Sequence, residues 1–154
     1  MQIRRTSING KGVFSIRAFK PGELIFRARR GPILSAVALR RLSRAEQNRT
    51  TMIGKNRFEL DSLPGAYVNH SCSPNGYWRG RSLFAWKRIC PGEEITVDYS
   101  IAEVLPWRFK CKCGERNCRG TIYANFFRLP KSLQKKYLSF TSRKIRRQFL
   151  AGNK

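Results

Sequence analysis

The sequence predicts a mostly-β domain carrying one helical insert and one helix near the C-terminus. Compact apolar runs such as Leu24-Ile25-Phe26 and Leu83-Phe84-Ala85-Trp86 have the length of strands. Glycine and proline break the chain between such runs, at Asn9-Gly10, Lys20-Pro21-Gly22-Glu23 and Cys90-Pro91-Gly92. Helical spacing of apolar residues is confined to two stretches, residues 33–52 and about 130–148. Many short strands around few helices imply a fold held by packed sheets.

In chain order, residues 3–28 read as short strands separated by turns, with Leu24-Ile25-Phe26 a buried strand. Leu34, Val37, Ala38 and Leu42 then fall at helical spacing, and Ser35 is placed to cap that helix. A second strand group follows at residues 57–60, 83–86 and 94–97. Around Trp107 the strand pattern stops and a cysteine-rich segment begins. Pro130 suits a first helical position. Leu129, Leu133, Tyr137 and Phe140 form an apolar stripe at i, i+4, i+8 and i+11. The predicted basic helix over about 130–148 packs on the domain rather than on a membrane, its polar face being only intermittently charged. No internal repeat or low-complexity linker is visible.

Length and composition bound the function. At 154 residues the chain is one domain with appendages, long enough to bury a core. It has no run of eighteen apolar residues, which excludes a membrane-spanning helix, and Met1-Gln2-Ile3-Arg4-Arg5 lacks the apolar core of a secretory signal. Thirty-two Lys and Arg against nine Asp and Glu give a formal charge of +23. Such a surface attracts polyanions, DNA and RNA first among them; the blander reading is a solubilising surface or adaptation to an unusual intracellular milieu.

Five cysteines, three of them at Cys111, Cys113 and Cys118, point to a metal site in a reducing compartment rather than to disulfides. That setting is the cytoplasm or a nucleoid, or a nucleus if the cell is eukaryotic or the protein is delivered to a host. Cys111 and Cys113 alternate along an extended segment and Gly114 turns the chain back to Cys118, so three thiolates converge. Structural zinc takes four ligands. The fourth would come from Cys72, Cys90 or His70; otherwise the three are reduced structural thiols. Cys90, beside Pro91, reads as a small buried hydrophobe.

Four blocks carry more information than any composition. They are Gly10-Lys11-Gly12-Val13-Phe14, Asn69-His70-Ser71-Cys72-Ser73-Pro74-Asn75, Gly92-Glu93-Glu94-Ile95-Thr96-Val97-Asp98-Tyr99 and Cys111-Lys112-Cys113-Gly114-Glu115-Arg116-Asn117-Cys118-Arg119-Gly120. In this order and spacing they resemble the signature of SET-domain protein-lysine methyltransferases of the compact type that ends in a post-SET segment. The resemblance covers roughly residues 4–125. It implies a fold of several small curved sheets with a pseudoknot-like threading towards the C-terminus. It also implies a SET domain over residues 1–108 with its insert at about 30–60, a post-SET zinc-binding segment over 109–125 and a basic helix or tail over 126–154. S-adenosylmethionine is then the methyl donor, Zn2+ a structural ion, and the partner a lysine-containing protein.

Residue by residue, the resemblance places Lys11, Gly12 and Val13 against the carboxylate end of the donor, where a Cβ would block close approach. Phe14 anchors that loop in the core. The Asn69 side chain holds the methionine amino group, and the His70 backbone meets the adenine. Trp107, or Phe109 near it, covers the adenine or walls the lysine channel, with core packing an equal contender. Cys72 is selected as the fourth zinc ligand with Cys111, Cys113 and Cys118, stapling the C-terminal segment over the Asn69 strand. Tyr99 is the catalytic residue and also touches the donor; the alternative is a core tyrosine with a satisfied hydroxyl. A Cys72–His70 hydrolase pair is the competing assignment, and zinc ligation would abolish it. Glu93 and Glu94 read as a solvated turn pairing with nearby arginine, Asp98 as a brace for the backbone beside Tyr99, and Tyr67 as structural.

Methyl transfer to an amine is an in-line displacement, so alignment and electrostatics are what the protein must supply. The chain departs from the family in lacking a cysteine-rich pre-SET region, in its short insert, and in having Val97 where an aromatic residue often sets the number of methyl groups. The substrate expected from the charge is a histone-like or nucleoid-associated protein. The rival reading is a non-catalytic SET scaffold that binds nucleic acid or chromatin; a third is a methyltransferase for a ribosomal or host protein.

Overall fold

The tripeptide Pro-Gly-Glu occurs twice, and each copy builds the same turn in the computed structural model, which describes residues 1–47, 49–102 and 104–152. Gly22 and Gly92 adopt φ of 81° and 83°, a conformation that a Cβ resists. The Glu23 and Glu93 N–H groups close the turns onto Lys20 O and Cys90 O. Each glutamate then reaches back with its carboxylate to the N–H of Lys20 (2.9 Å) or Cys90 (2.7 Å). Phe19 and Ile89, one step ahead of each turn, form an antiparallel bridge and are both buried. A one-turn repeat therefore exists, too short to stand out as sequence periodicity.

The chain begins with β1 (Gln2–Thr6), β2 (Gly10–Phe14), β3 (Leu24–Arg27) and β4 (Ile33–Ser35). Helices α1 (Ala36–Arg41) and α2 (Arg44–Gln47) precede β5 (Thr50–Gly54) and β6 (Arg57–Leu60). The central segment holds β7 (Asn69–His70), β8 (Gly76–Arg79), β9 (Ser82–Ala85) and β10 (Glu94–Val97). After α3 (Tyr99–Ala102) come β11 (Val104–Lys110), β12 (Thr121–Asn125), α4 (Lys131–Tyr137) and α5 (Arg143–Ala151). These strands make four small sheets of order β1-β2-β10-β7, β3-β9-β8, β4-β6-β5 and β11-β12. The mostly-β expectation holds. Strand β10 enters between β2 and β7, so the segment leading to Tyr99 is threaded between two earlier parts of the chain.

Val13, Leu83, Ala85, Ile89 and Ile95, all without solvent exposure, centre the main core. A second core gathers Ile101, Phe126, Leu129, Tyr137, Ile145 and Phe149. The insert sheet is tied to the β8–β9 hairpin by the buried Glu59 carboxylate, which pairs with Arg81 and accepts the Gly31 N–H at 2.8 Å.

Several local expectations are corrected. Residues 33–52 do not form one helix. Ile33, Leu34 and Ser35 pair with Glu59, Phe58 and Arg57 as β4, so sheet pairing overrides the helical spacing of Leu34. Ser35 does cap α1, accepting the Ala38 N–H at 3.2 Å. Ser43 and Glu46 then start α2 with a reciprocal capping box. Trp107 does not leave the strand pattern: β11 runs through it, with Arg108, Phe109 and Lys110 opposite Tyr123, Ile122 and Thr121.

The helix expected over 130–148 is two helices. Leu138–Phe140 tighten into a 3-10 turn, and Thr141 is extended with its hydroxyl on Leu138 O at 2.7 Å. Ser142 caps α5 at the Ile145 N–H. Pro130 takes the N-cap of α4 rather than its first helical position. Cys90 is exposed, because the buried residue at that strand end is its neighbour Ile89. Val13, rather than Phe14, is the core anchor of the first loop; Phe14 is half-buried under the Arg4 guanidinium at 4.0 Å.

Trp86 joins the two halves. Its ring centroid lies 5.0 Å from Tyr137 and 4.3 Å from Phe140, and Tyr77 supports the same contact at 4.8 Å from Phe140. Trp86→Ala is expected to destabilise the protein by about 3 kcal/mol, the low end for losing a packed Trp. It should also expose α4 and α5 to limited proteolysis. An unchanged urea midpoint with protected helices would show that the tail docks without this residue.

Candidate active site

The register of β10 brings the motifs together. It pairs antiparallel with β2 (Glu94↔Phe14, Ile95↔Val13) and parallel with β7 (Thr96↔Asn69, Val97↔His70). Asn75 pins the chain after β7 to the same strand: its Nδ2 donates to Glu94 O and its Oδ1 accepts the Thr96 N–H, both at 2.8 Å. Gly12, Asn69 and Glu94 consequently meet at one corner.

At that corner Asn69 Nδ2 donates to Lys11 O and to Glu94 Oε1, each at 2.8 Å. Thr6 Oγ1 donates to the other Glu94 oxygen. A Cβ on Gly12 would collide with the Glu94 carboxylate and stand 3.2 Å from Asn69 Nδ2, so the glycine is what lets that carboxylate lie against the loop. Lys11 lays its ammonium 5.5 Å from the Tyr67 ring centroid. Val13 is fully buried in the core, which leaves Lys11 and Gly12 as the loop residues beside Asn69. The expectation of a solvated glutamate pair fits Glu93, which stays in its turn. It does not fit Glu94: strand alternation puts Glu94 on the face it shares with Thr96, towards Asn69. Among the described residues neither glutamate pairs with arginine.

Tyr99 opens α3 just beyond β10. Its backbone N–H donates to His70 Nδ1 at 3.2 Å, and its hydroxyl donates to Val68 O at 2.8 Å. Burial raises the phenol well above its ordinary pKa, and the charges of Asp61 and Glu94 push the same way. Tyr99 is therefore a protonated donor and not a base. Its ring packs against His70 at 5.5 Å, Phe109 at 5.9 Å and Trp107 at 6.2 Å between centroids. Trp107 is 43% exposed, so this aromatic wall has a solvent-facing side.

His70 is neutral. Burial holds its pKa down to about 4; the Asp98 charge opposes this and Arg119 reinforces it. Since Nδ1 accepts from Tyr99, the proton sits on Nε2, which faces Cys72 Sγ at 3.4 Å. Both ring nitrogens are thus engaged, which removes His70 as a zinc ligand on the observed side-chain placement.

The thiols of Cys72, Cys111, Cys113 and Cys118 lie within 4.8 Å of one another, with Cys72 and Cys111 at 3.9 Å. Zinc–sulfur bonds of about 2.3 Å require tetrahedral edges of about 3.8 Å, so the four suit one zinc ion after slight contraction. Desolvation works against ionising Cys113, yet the backbone donors at Cys72 and Glu115 and the neighbouring thiols of Cys111 and Cys118 bring it down to about 7. The exposed Cys90 is outside the cluster.

Arg119, the residue after the last of these cysteines, connects the knuckle to Tyr99. Its N–H donates to Cys72 Sγ at 3.3 Å, its Nη2 to Asp98 Oδ1 at 2.7 Å and its Nη1 to Ser100 Oγ at 3.4 Å. Asp98 also accepts the Ser100 N–H, and its side chain has no exposure. Arg119 therefore grips the residues on both sides of Tyr99. Ser71 Oγ, donating to Glu115 at 2.9 Å, adds a second tether between β7 and the knuckle. The sequence reading gave no role to Arg119, Glu115 or Asn75 and misplaced Glu94. All three stand inside the motif blocks, which was their only signal.

A family profile described as "SET domain" matches residues 10–100. A histone-lysine N-methyltransferase, H3 lysine-9 specific, of Nicotiana tabacum is 39% identical over 69 residues, covering 37% of this chain and 10% of that protein. Histone-lysine N-methyltransferase 2B of Homo sapiens is 28% identical over 136 residues, covering 76% of this chain and 5% of that protein. The methyltransferase domain of human histone-lysine N-methyltransferase SETMAR superposes with a TM-score of 0.60 at 20% identity, over 80% of this chain and 58% of that one; at that identity it speaks for the fold. The chain spans a tenth or less of the length of these two curated relatives.

Removing one partner of a buried ion pair leaves the other uncompensated. Arg119→Met is expected to cost about 3–5 kcal/mol of stability by urea unfolding. Adding Asp98→Asn should recover a substantial part, giving a coupling energy above about 1 kcal/mol. Strictly additive losses would mean that the two side chains do not stabilise each other.

Proposed function

The chain belongs to the SET-domain family, and from that premise we propose that it transfers a methyl group from S-adenosylmethionine to a lysine side chain of a protein. The observation that carries this reading is Tyr99, half-buried, protonated, fixed at both its N–H and its hydroxyl, and packed on an aromatic wall of His70, Phe109 and Trp107. On this reading residues 1–108 are the methyltransferase domain, 109–125 the zinc-binding segment and 126–154 a basic tail.

S-adenosylmethionine, when bound, supplies an electrophilic methyl group on a sulfonium sulfur. Lys11 and Gly12 receive the amino-acid end, the absent Gly12 Cβ letting the Glu94 carboxylate and the Asn69 amide lie against the loop. Asn69 and Glu94 hold the ammonium, the carboxylate adding charge to the hydrogen bond. The His70 backbone and the exposed Trp107 ring receive the adenine. Tyr99 and nearby backbone carbonyls such as Val68 O orient the methyl group and the incoming amine. The amine arrives neutral, its proton passing to water, because neither Tyr99 nor His70 is placed as a base. Cys72, Cys111, Cys113 and Cys118 hold one structural Zn2+ as four thiolates with no open position.

For the substrate we favour a histone-like or nucleoid-associated protein, in keeping with the names of the curated relatives. The site of action would be the cytoplasm, a nucleoid or a nucleus. Among the described residues no helix is long and apolar enough to cross a membrane.

Calorimetric titration with S-adenosylhomocysteine tests the donor site without turnover. Micromolar affinity is expected, and Asn69→Ala should weaken it about tenfold, as loss of a charge-linked hydrogen bond implies. Tyr99→Phe should bind as wild type while turnover drops about 100-fold or more. A well-folded sample that binds nothing would instead favour a non-catalytic SET scaffold, and full turnover of Tyr99→Phe would remove Tyr99 from the mechanism.

A further inference from the structure

From residue 116 onward the chain has eleven Lys and Arg and no Asp or Glu. Helices α4 and α5 carry seven of these cations, all exposed: Lys131, Lys135 and Lys136 on the first, Arg143, Lys144, Arg146 and Arg147 on the second. Their apolar sides are already used. Tyr137, Ile145 and Phe149 are buried in the second core, and Leu133 packs against it. Apart from Leu150 near the end of α5, which is exposed alone, the outward surface of the pair is polar and positive, and a single leucine is no apolar stripe to enter a bilayer.

Among the described residues no ion pair neutralises that surface. The ion pairs among the described residues use Arg17, Arg81, Arg119 and the neutral His70, none of them on α4 or α5. Without acidic residues, the i,i+3 and i,i+4 neighbours are like charges: Arg143 faces Arg146 and Arg147, and Lys144 faces Arg147. Helices usually soften such repulsion with alternating acids, and here the chain does not. A partner with closely spaced negative charges relieves it and gains entropy from released counterions. A phosphodiester backbone has that spacing, whereas the buried apolar faces argue against a lipid surface.

We propose that the outer face of α4 and α5 docks the sugar-phosphate backbone of double-stranded nucleic acid, without reading its sequence. Gln148 is the one exposed amide on α5, against seven exposed cations on the two helices, so shape and charge are the recognised features. This inference stands apart from methyl transfer. If both hold, the nucleic acid gathers a +23 enzyme and a basic substrate that would otherwise repel each other.

The test is fluorescence anisotropy of the full chain with a labelled random-sequence DNA duplex of about 20 base pairs, a matched RNA duplex, and phosphatidylserine-containing vesicles. With about five phosphates engaged, affinity for a duplex should fall roughly 500-fold between 50 and 200 mM salt, a log–log slope of about −4.5. A variant combining K135Q, K136Q, R143Q, K144Q, R146Q and R147Q should bind at least about tenfold more weakly, with a shallower slope. An equally neutralised control, R30Q, R40Q, R41Q, R44Q, K55Q and R57Q, should lose markedly less. Stronger binding to DNA or to RNA identifies the natural polymer. Equal losses in both variants would overturn the assignment to α4 and α5, and binding to vesicles but to neither duplex would overturn nucleic acid as the partner. Affinity for S-adenosylhomocysteine, unchanged in both variants, separates this outcome from misfolding and from failure of the donor site.

Discussion

Asp98 carries a carboxylate with no solvent exposure into the layer beside Tyr99, and such a charge is tolerable only because Arg119 reaches it from the cysteine knuckle. The pair ties together segments that are 21 residues apart in sequence. On one side is the end of β10, which sets the direction of Tyr99. On the other is a segment with little apolar content of its own, whose order depends on converging thiols. Arg119 also touches Cys72 through its N–H and Ser100 through its second guanidinium nitrogen. Any displacement of the knuckle must therefore be felt at both neighbours of Tyr99.

The electrostatic character of the interior is opposite to that of the surface. Outside, the charge is overwhelmingly positive. Inside, His70 is held neutral, Tyr99 is held protonated, and Glu94 turns its carboxylate towards Asn69 and Thr6. Such an interior suits a reaction whose electrophile is a cation and whose nucleophile must shed its charge: a fixed carboxylate can receive the one, and among the described residues the paired Arg119 is the interior cation.

Much of this was legible in the sequence, for physical reasons that differ from place to place. Strands β6 and β10 have the expected bounds because residues with positive φ, Asn56 and Gly92, mark the turns just before them. Cys72 lies 39 residues before Cys111, and only the motif around it, not spacing, announced their convergence. Glu94 was hidden because an acid after Pro-Gly-Glu resembles more turn; its inward direction comes from pairing with β2 and β7, a property of three strands at once. Arg119 was hidden by abundance, since one arginine among 32 basic residues has no distinguishing mark until burial picks it out. The broken C-terminal helix reflects Thr141 and Ser142, whose hydroxyls satisfy local backbone groups more cheaply than a continuous helix would.

The most direct test of this account is whether the knuckle and the proposed donor site are one unit. Zinc would be stripped with a chelator, retention of the β core checked by circular dichroism, and affinity for S-adenosylhomocysteine measured before, during and after zinc is restored. The account predicts at least about a tenfold loss on stripping, corresponding to a coupling of about 1.4 kcal/mol, and full recovery on reloading. A folded, zinc-free protein that binds S-adenosylhomocysteine with unchanged affinity would contradict it.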